Sequence, residues 1–185
     1  KINRIIIGGA MAYTFLKARG KAVGNSRVED DFMDKALQLL DQAASVGCEV
    51  MLPPDHVVVR KLEAGAEHRI AVGDIDPNWQ AVDIGPMAAR EFSEKVVNAK
   101  TIVWNGPMGV FEISPFDQGT KAIAQAVAQA TGKGAKSVVG GGDSASAIQQ
   151  LGLQDKISHI STGGGASLEF LEGKKFKAIE ILDEK

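Results

Sequence analysis

Short apolar runs alternate with longer amphipathic segments along most of the chain. The runs are rich in β-branched residues, which is typical of strands buried on both faces, and they occupy residues 5–7, 50–52, 101–104, 137–139 and 158–160. Between them, apolar residues recur at helical spacing, in segments 11–18, 32–43, 87–97, 116–130 and around 147–148. Pro86, directly before the third of these segments, suits the first position of a helix. Repeated strand–helix alternation predicts right-handed crossovers, and therefore a mainly parallel sheet with helices on both faces, a three-layer αβα fold.

One stretch departs from this alternation. Pro53-Pro54-Asp55 predicts a rigid turn, after which residues 57–59 and 70–72 have the composition of two short strands. We interpret this stretch as a small extra β-ribbon. Earlier in the chain, Ser26-Arg27-Val28-Glu29 has the spacing of a capping box and predicts the start of the long helix over 32–43.

Composition and charge narrow the classes of function. The 185 residues suit one domain, spanning 1–185. A net charge of −2 with no basic stripe argues against a nucleic-acid partner. No apolar run approaches the ~18 residues of a membrane span, and the first residues do not resemble a signal peptide. We therefore expect no membrane partner, a cytoplasmic location and a monomer.

Two runs of three glycines each follow a predicted strand and precede a predicted helix. Gly140-Gly141-Gly142 is followed by Asp143, and Gly163-Gly164-Gly165 is followed by Ala166. Glycine lets the backbone approach a ligand closely, and the first amides of a helix are unpaired donors at the positive end of its dipole, so both runs are typical of phosphate sites. The alternative is that each run is only a tight strand-to-helix turn.

Four loops follow predicted strands and should meet at one edge of the sheet, where ligands bind in open α/β folds. They are residues 8–10, 105–112, 140–144 and 161–165. Neither the Walker pattern nor G-x-G-x-x-G occurs anywhere in the chain. Those two large families of phosphate-binding proteins are therefore excluded.

The strings in these loops resemble one family closely. They are Gly-Gly-Ala-Met-Ala-Tyr-Thr-Phe-Leu at 8–16, Trp-Asn-Gly-Pro-Met-Gly-Val-Phe-Glu at 104–112, Gly-Gly-Gly-Asp-Ser at 140–144 and Ser-Thr-Gly-Gly-Gly-Ala-Ser-Leu-Glu at 161–169. In this order and spacing they are similar to the C-terminal nucleotide-binding domain of phosphoglycerate kinases, over essentially the whole chain. The resemblance implies a Rossmann-like domain with six strands that binds MgADP or MgATP. The implied reaction moves a phosphoryl group between 1,3-bisphosphoglycerate and ADP, giving 3-phosphoglycerate and ATP.

The resemblance also implies roles for individual residues. The positions that match nucleotide-binding residues are Gly9, Ala10, Ala81, Val82, Asn105, Pro107, Glu112, Gly141, Gly142, Asp143 and Ser144. Among these, Gly9, Ala10, Ala81 and Val82 match the adenine slot and Glu112 matches the residue that accepts from the ribose hydroxyls. Gly163, Gly164 and Gly165 match the catalytic loop that faces the transferring phosphoryl group.

Asp143 is the candidate ligand for Mg²⁺, since Mg²⁺ prefers one or two carboxylates together with phosphate oxygens. At several of these positions a purely structural role remains an alternative. Asp143 could be only an N-cap, and Glu112 a solvated loop acid. Gly106-Pro107 forms turns without any ligand, and the adenine-slot residues could be ordinary core. His56, His68 and His159 match no catalytic role.

The chain departs from the family pattern at three places. Ala10 stands where the family has a third glycine, and Arg27 stands where an apolar residue helps to cover adenine. Both changes bear on nucleotide affinity. Residues 173–178 replace the usual leucine-proline-glycine turn, so the path of segment 174–185 is left open.

The family binds its acid substrate on an N-terminal domain that this sequence lacks. We therefore expect the chain to bind nucleotide with negligible kinase activity alone. Two other hypotheses remain, which are a stand-alone nucleotide-binding module without catalysis and a purely structural α/β domain whose glycines serve only turns.

Overall fold

The structure, a computed structural model, describes residues 2–161. The strands are β1 (Arg4–Ile6), β2 (Glu49–Met51), β3 (Asp55–Val59), β4 (His68–Val72), β5 (Gln80–Ile84), β6 (Thr101–Asn105), β7 (Lys136–Gly140) and β8 (His159–Ser161). The helices are α1 (Gly9–Ala18), α2 (Met33–Ser45), α3 (Pro86–Val97), α4 (Gln118–Gly132) and α5 (Gly142–Gln150). None of the helices within 2–161 is long and apolar enough to cross a membrane.

The strands form two parallel groups and one antiparallel sheet. β1 pairs with β2, and β7 lies between β6 and β8, all in parallel register. β3 pairs with β4 on one side and with β5 on the other, and both pairings are antiparallel. The mixed α/β fold with mainly parallel strands and a separate β-ribbon is therefore confirmed. The described residues hold five parallel strands of the six that were predicted, and segment 174–185, whose path the sequence left open, lies outside them.

The main core lies between the parallel strands and helices α3 and α4. Phe92 of α3 is fully buried and packs in a cluster with Trp104 of β6 and Val127 of α4. Helix α3 begins with Pro86 at its first position, as predicted, because the fixed φ of proline suits a helix start and its missing amide is not needed there. Burying one phenylalanine side chain contributes about 1.5–3 kcal/mol.

One local prediction, the capping box at residues 26–29, was wrong. The Ser26 side chain does not cap a helix, because its hydroxyl accepts a hydrogen bond from the Ala81 amide at 2.9 Å. The Glu29 amide instead donates to Thr14 Oγ1 at 3.1 Å. Helix α2 begins only at Met33 and has no side-chain cap. The segment 26–29 therefore contacts α1 and β5, through the backbone amide of Glu29 and the side chain of Ser26 respectively.

The sequence pattern also missed one strand. Ala81 and Val82 belong to β5, which completes the antiparallel sheet as its third strand. Its sequence places Asp83 between Val82 and Ile84, and a carboxylate in an apolar run weakens the strand pattern.

Candidate functional site

Three of the four predicted loops meet in the described part of the chain. The Gly9 amide donates to the Met108 carbonyl at 3.0 Å, which joins the 8–10 loop to the 105–112 loop. The Gly106 amide donates to Ser144 Oγ at 2.7 Å, which joins the 105–112 loop to the start of α5. The 105–112 loop therefore lies between the other two, at the carboxyl ends of β1, β6 and β7.

Gly9 is required at the first of these contacts. Its φ is 60°, in the left-handed region that favours glycine. A Cβ atom at this position would also lie 2.8 Å from the Pro107 carbonyl oxygen. The backbones of the 8–10 and 105–112 loops therefore approach more closely than any side chain at residue 9 would permit.

The 105–112 loop is also held by its own surroundings. Trp104 Nε1 donates to the Gly106 carbonyl at 2.7 Å, and the Met108 amide donates to Thr120 Oγ1 at 3.0 Å. The Val110 amide donates to the Val82 carbonyl at 2.8 Å. Contacts at residues 106, 108 and 110 thus tie the loop to β6, α4 and β5 in turn. A loop fixed in this way is pre-formed for a ligand.

Helix α5 begins directly in the glycine run. Gly141 precedes its first residue with a φ of 94° and lies beside the Asn105 side chain. The first amides of a helix have no partner within it and lie at the positive end of its dipole. Asp143 is exposed in the first turn and makes no capping bond, so the N-cap alternative for this residue was wrong.

The residues present fit a magnesium ion held together with phosphate oxygens. Between residues 2 and 161 no group of three or more His, Cys, Asp or Glu side chains could hold a metal by itself. Asp143 offers one exposed carboxylate at the helix end where phosphate oxygens would bind. Mg²⁺ keeps several waters and takes only one or two protein carboxylates when it is bound with phosphates.

The structure places the predicted adenine-slot residues on two different elements. Gly9 and Ala10 begin α1, whereas Ala81 and Val82 belong to β5. The Val82 side chain is buried in a cluster with Val59 and Phe116, so it packs inside the protein. Its carbonyl, however, contacts the 105–112 loop. The core alternative is therefore correct for the Val82 side chain, while its carbonyl oxygen is bound to the 105–112 loop.

Ala10 and Arg27 line the same cavity. It has a volume of about 500 Å³ and lies between α1 and α2, with Phe15, Phe32 and Leu39 on its apolar walls. The two positions at which the sequence departs from the family pattern thus lie at one place beside the 8–10 loop. Both residues therefore border the same space.

Of the remaining predicted site residues, the structure describes Glu112 but not the second glycine run. Glu112 is exposed at the end of the 105–112 loop, directly after the buried Phe111. Gly163, Gly164 and Gly165 fall outside the described residues. The Gly141 amide donates to the Ser161 carbonyl at 3.1 Å. Ser161, the last residue that the structure describes, therefore lies beside the first glycine run.

Sequence reasoning missed two buried carboxylates near these loops. Asp55 accepts from the amides of Met87 and Ala88 at 2.9 and 2.8 Å and so caps α3. Asp83 accepts from the Gly119 amide at 2.7 Å, in the first turn of α4. Each side chain is 1 % exposed. The signal that could have revealed them is an isolated acid in or beside an apolar run, because a buried carboxylate must accept hydrogen bonds from nearby donors.

The site defines a class of protein. Parallel strands with glycine-rich loops at their carboxyl ends, two of them opening a helix, are typical of α/β proteins that bind a ligand at that edge of the sheet. Comparison with known proteins gives the family. The sequence profile of the family described as phosphoglycerate kinase matches residues 1–174. The chain belongs to the phosphoglycerate kinase family.

Individual relatives agree with this family. The chain is 53 % identical to the phosphoglycerate kinase of Thermosipho africanus over 187 residues, and 56 % identical to that of Solibacter usitatus over 182. These alignments cover 100 % and 98 % of this chain, but only 46 % and 45 % of the relatives. The chain thus spans about half the length of the curated relatives it matches.

Solved structures agree as well. The structure of phosphoglycerate kinase from Coxiella burnetii superposes with a TM-score of 0.92 at 43 % identity, covering 98 % of this chain and 46 % of that one. Phosphoglycerate kinase from Pyrococcus horikoshii gives a TM-score of 0.80 at 31 % identity, covering 96 % and 44 %.

Proposed function

We propose that this chain is the nucleotide-binding part of a phosphoglycerate kinase and binds MgADP and MgATP where its loops meet. The observation that carries the proposal is the junction of the 8–10, 105–112 and 140–144 loops through the contacts Gly9–Met108 and Gly106–Ser144. A nucleoside diphosphate needs backbone donors for its phosphates and a surface for its base. The first turn of α5 supplies the donors, and the 8–10 loop with the cavity beside it supplies the surface.

Each predicted residue has a role in this proposal. Asn105, Pro107, Gly141, Gly142 and Ser144 surround the phosphates, and Glu112 accepts hydrogen bonds from the ribose hydroxyls. Gly9, Ala10, Ala81 and Val82 line the base. Asp143 binds Mg²⁺ directly or through water, and the ion would neutralise charge on the phosphate oxygens. Gly163, Gly164 and Gly165 face the transferred phosphoryl group.

The whole protein would transfer phosphate between 1,3-bisphosphoglycerate and ADP in glycolysis, in the cytoplasm. We propose that this chain is monomeric and does not complete the transfer alone. Phosphoryl transfer depends on positioning and charge neutralisation, with little covalent help from the protein. A chain that spans about half of its relatives would hold one substrate without orienting the other.

Calorimetry with the Asp143→Ala variant tests the nucleotide site. The wild-type chain should bind ADP more tightly with Mg²⁺ than with EDTA, because the carboxylate and phosphates share the ion. In Asp143→Ala the ratio of the ADP affinity with Mg²⁺ to the ADP affinity with EDTA should be smaller by about tenfold or more, since a charge-assisted contact contributes about 1.5–3 kcal/mol.

Asp155→Ala is the matched control, because Asp155 is also exposed but lies beyond the far end of α5. It should bind MgADP like the wild type. A wild-type chain that binds no nucleotide would favour the purely structural hypothesis. Equal magnesium dependence in Asp143→Ala and wild type would remove Asp143 from the metal site.

A further inference from the structure

Asp83 lies at the junction of strand β5, helix α4 and the 105–112 loop. One carboxylate oxygen accepts from the Ile84 amide at 2.9 Å, and the other accepts from the Gly119 amide at 2.7 Å. The side chain is 1 % exposed. Both oxygens therefore serve buried backbone donors, and one of these donors is in the first turn of α4.

The 105–112 loop packs directly on this carboxylate. A methyl group added at Gly109 would overlap the carboxylate and would lie 2.7 Å from the Asp83 Cα atom. A methyl group at Gly119 would overlap the same carboxylate. The next loop residue, Val110, donates to the carbonyl of Val82, directly before Asp83. The position of the loop thus depends on the space that the Asp83 side chain fills.

We infer that Asp83 is a positioning residue, which fixes the 105–112 loop against β5 and α4 in the conformation that receives the nucleotide. The inference rests on the proposed function. Asp83 does not itself reach the ligand, because it is covered by Gly109 and the start of α4. It acts through the loop, whose other contacts at Met108 and Gly106 lead to the 8–10 loop and to α5.

The groups around Asp83 do not neutralise its charge. Burial and, to a smaller extent, the nearby Asp117 raise the pKa of Asp83 to about 7, although the hydrogen bonds from the Gly119 and Ile84 amides oppose this shift. Asp117 is itself paired with Lys121 at 2.6 Å. On the α1 side, burial raises the pKa of Tyr13, and its hydroxyl lies 3.4 Å from Nδ1 of His56. Burial lowers the pKa of His56 to about 4, so this ring is neutral at neutral pH.

The ionised form of Asp83 holds the 105–112 loop in place but lowers the free energy of unfolding. The ionised form accepts from both amides, whereas protonation places a donor on one of its oxygens. The folded-state pKa is above the unfolded value of 3.8, so the stabilisation by this group is fully present below pH 3.8 and is lost as the pH rises through 7. We expect the stability of wild type relative to Asp83→Asn to fall between about pH 4 and pH 7 and to level off above that.

The first test compares MgADP affinity between wild type and Asp83→Asn from pH 5.5 to 8.5. At pH 8 the variant should bind about tenfold more weakly, because a hydrogen bond to a charged group is lost and the loop moves. The ratio of the two affinities should approach one as the pH falls through 7. The ionisation of ADP itself cancels in this ratio. Affinity equal to wild type at pH 8 would overturn the inference.

Asp55→Asn is the matched control, since Asp55 is equally buried and caps α3 without contacting the 105–112 loop. It should lower stability and leave MgADP affinity within about twofold. If Asp83→Asn does not fold, Gly109→Ala tests the same point, because it keeps the carboxylate and displaces the loop. Gly109→Ala should then weaken MgADP binding about tenfold, and unchanged binding would overturn the inference.

Amide hydrogen exchange without nucleotide separates this inference from the proposed function. In Asp83→Asn the amides of Met108 and Val110 should exchange at least tenfold faster than in wild type, while the α3 amides should not change. This result would support the positioning role even if the wild-type chain binds no MgADP. Unchanged exchange at both loop amides would overturn it.

Discussion

The free energy of unfolding of the Phe92→Ala variant is expected to be about 3–5 kcal/mol lower than that of the wild-type chain. Phe92 is fully buried in the core between α3, α4 and the parallel strands. Its removal takes away the apolar transfer energy and leaves a cavity that close-packed neighbours fill only in part. Urea denaturation followed by circular dichroism measures the difference.

Phe32→Ala makes the same chemical change at an exposed position, since Phe32 is 58 % exposed. We expect this substitution to lower the free energy of unfolding by less than about 1 kcal/mol. The contrast between the two variants therefore reports burial rather than the loss of a phenylalanine as such. Equal destabilisation by both would contradict the position of the core between α3 and α4.

Turnover by the isolated chain should be at least about 10⁴-fold below that of a two-domain relative assayed in parallel. Orienting two reactants supplies effective molarities of about 10⁵–10⁸ M, and a chain that holds only the nucleotide loses this advantage. Incubation with 3-phosphoglycerate and MgATP, with ADP detected by a coupled assay, measures the rate.

The matching control adds the N-terminal half of a relative, made separately. Activity that appears only in the mixture would support a nucleotide-binding part that needs its partner. A rate near that of the two-domain enzyme from the chain alone would contradict the proposal. A mixture that stays inactive while the chain binds MgADP would favour the stand-alone module.

The sequence predicted the parallel strands and their helices because each has a strong local signal. Pro86 marked the start of α3, and apolar runs marked β6 and β7. The meeting of the loops followed from a general rule, since the carboxyl ends of neighbouring parallel strands lie at one edge. Those parts depend on residues that are close in sequence or on topology alone.

The antiparallel sheet and its buried acids could not be predicted in the same way. Asp83 bonds to Gly119, 36 residues away, and Asp55 bonds to Ala88, 33 residues away. No local pattern encodes such a pair, because each acid is explained only by the distant helix that it caps. Ser26 is a further case, in which a typical capping spacing was outweighed by a tertiary contact with β5.

We propose different roles for the exposed carboxylate of Asp143 and the buried carboxylate of Asp83. Asp143 lies at the helix end where a metal and phosphates would bind. Asp83 lies beneath the loop that separates the two glycine-rich segments. A protein can retain a costly buried carboxylate where it fixes a functional site. The proposal therefore assigns the two acids to binding and to positioning.

The central claim is that nucleotide binds where the three loops meet, and chemical-shift mapping tests it most directly. Titration of the ¹⁵N-labelled chain with MgADP should shift the amides of Gly9, Gly106 and Gly142 and their neighbours in the three loops. Amides of β4, on the outer edge of the antiparallel sheet, should not move. Shifts confined to the antiparallel sheet, or no shifts at saturating MgADP, would contradict the account.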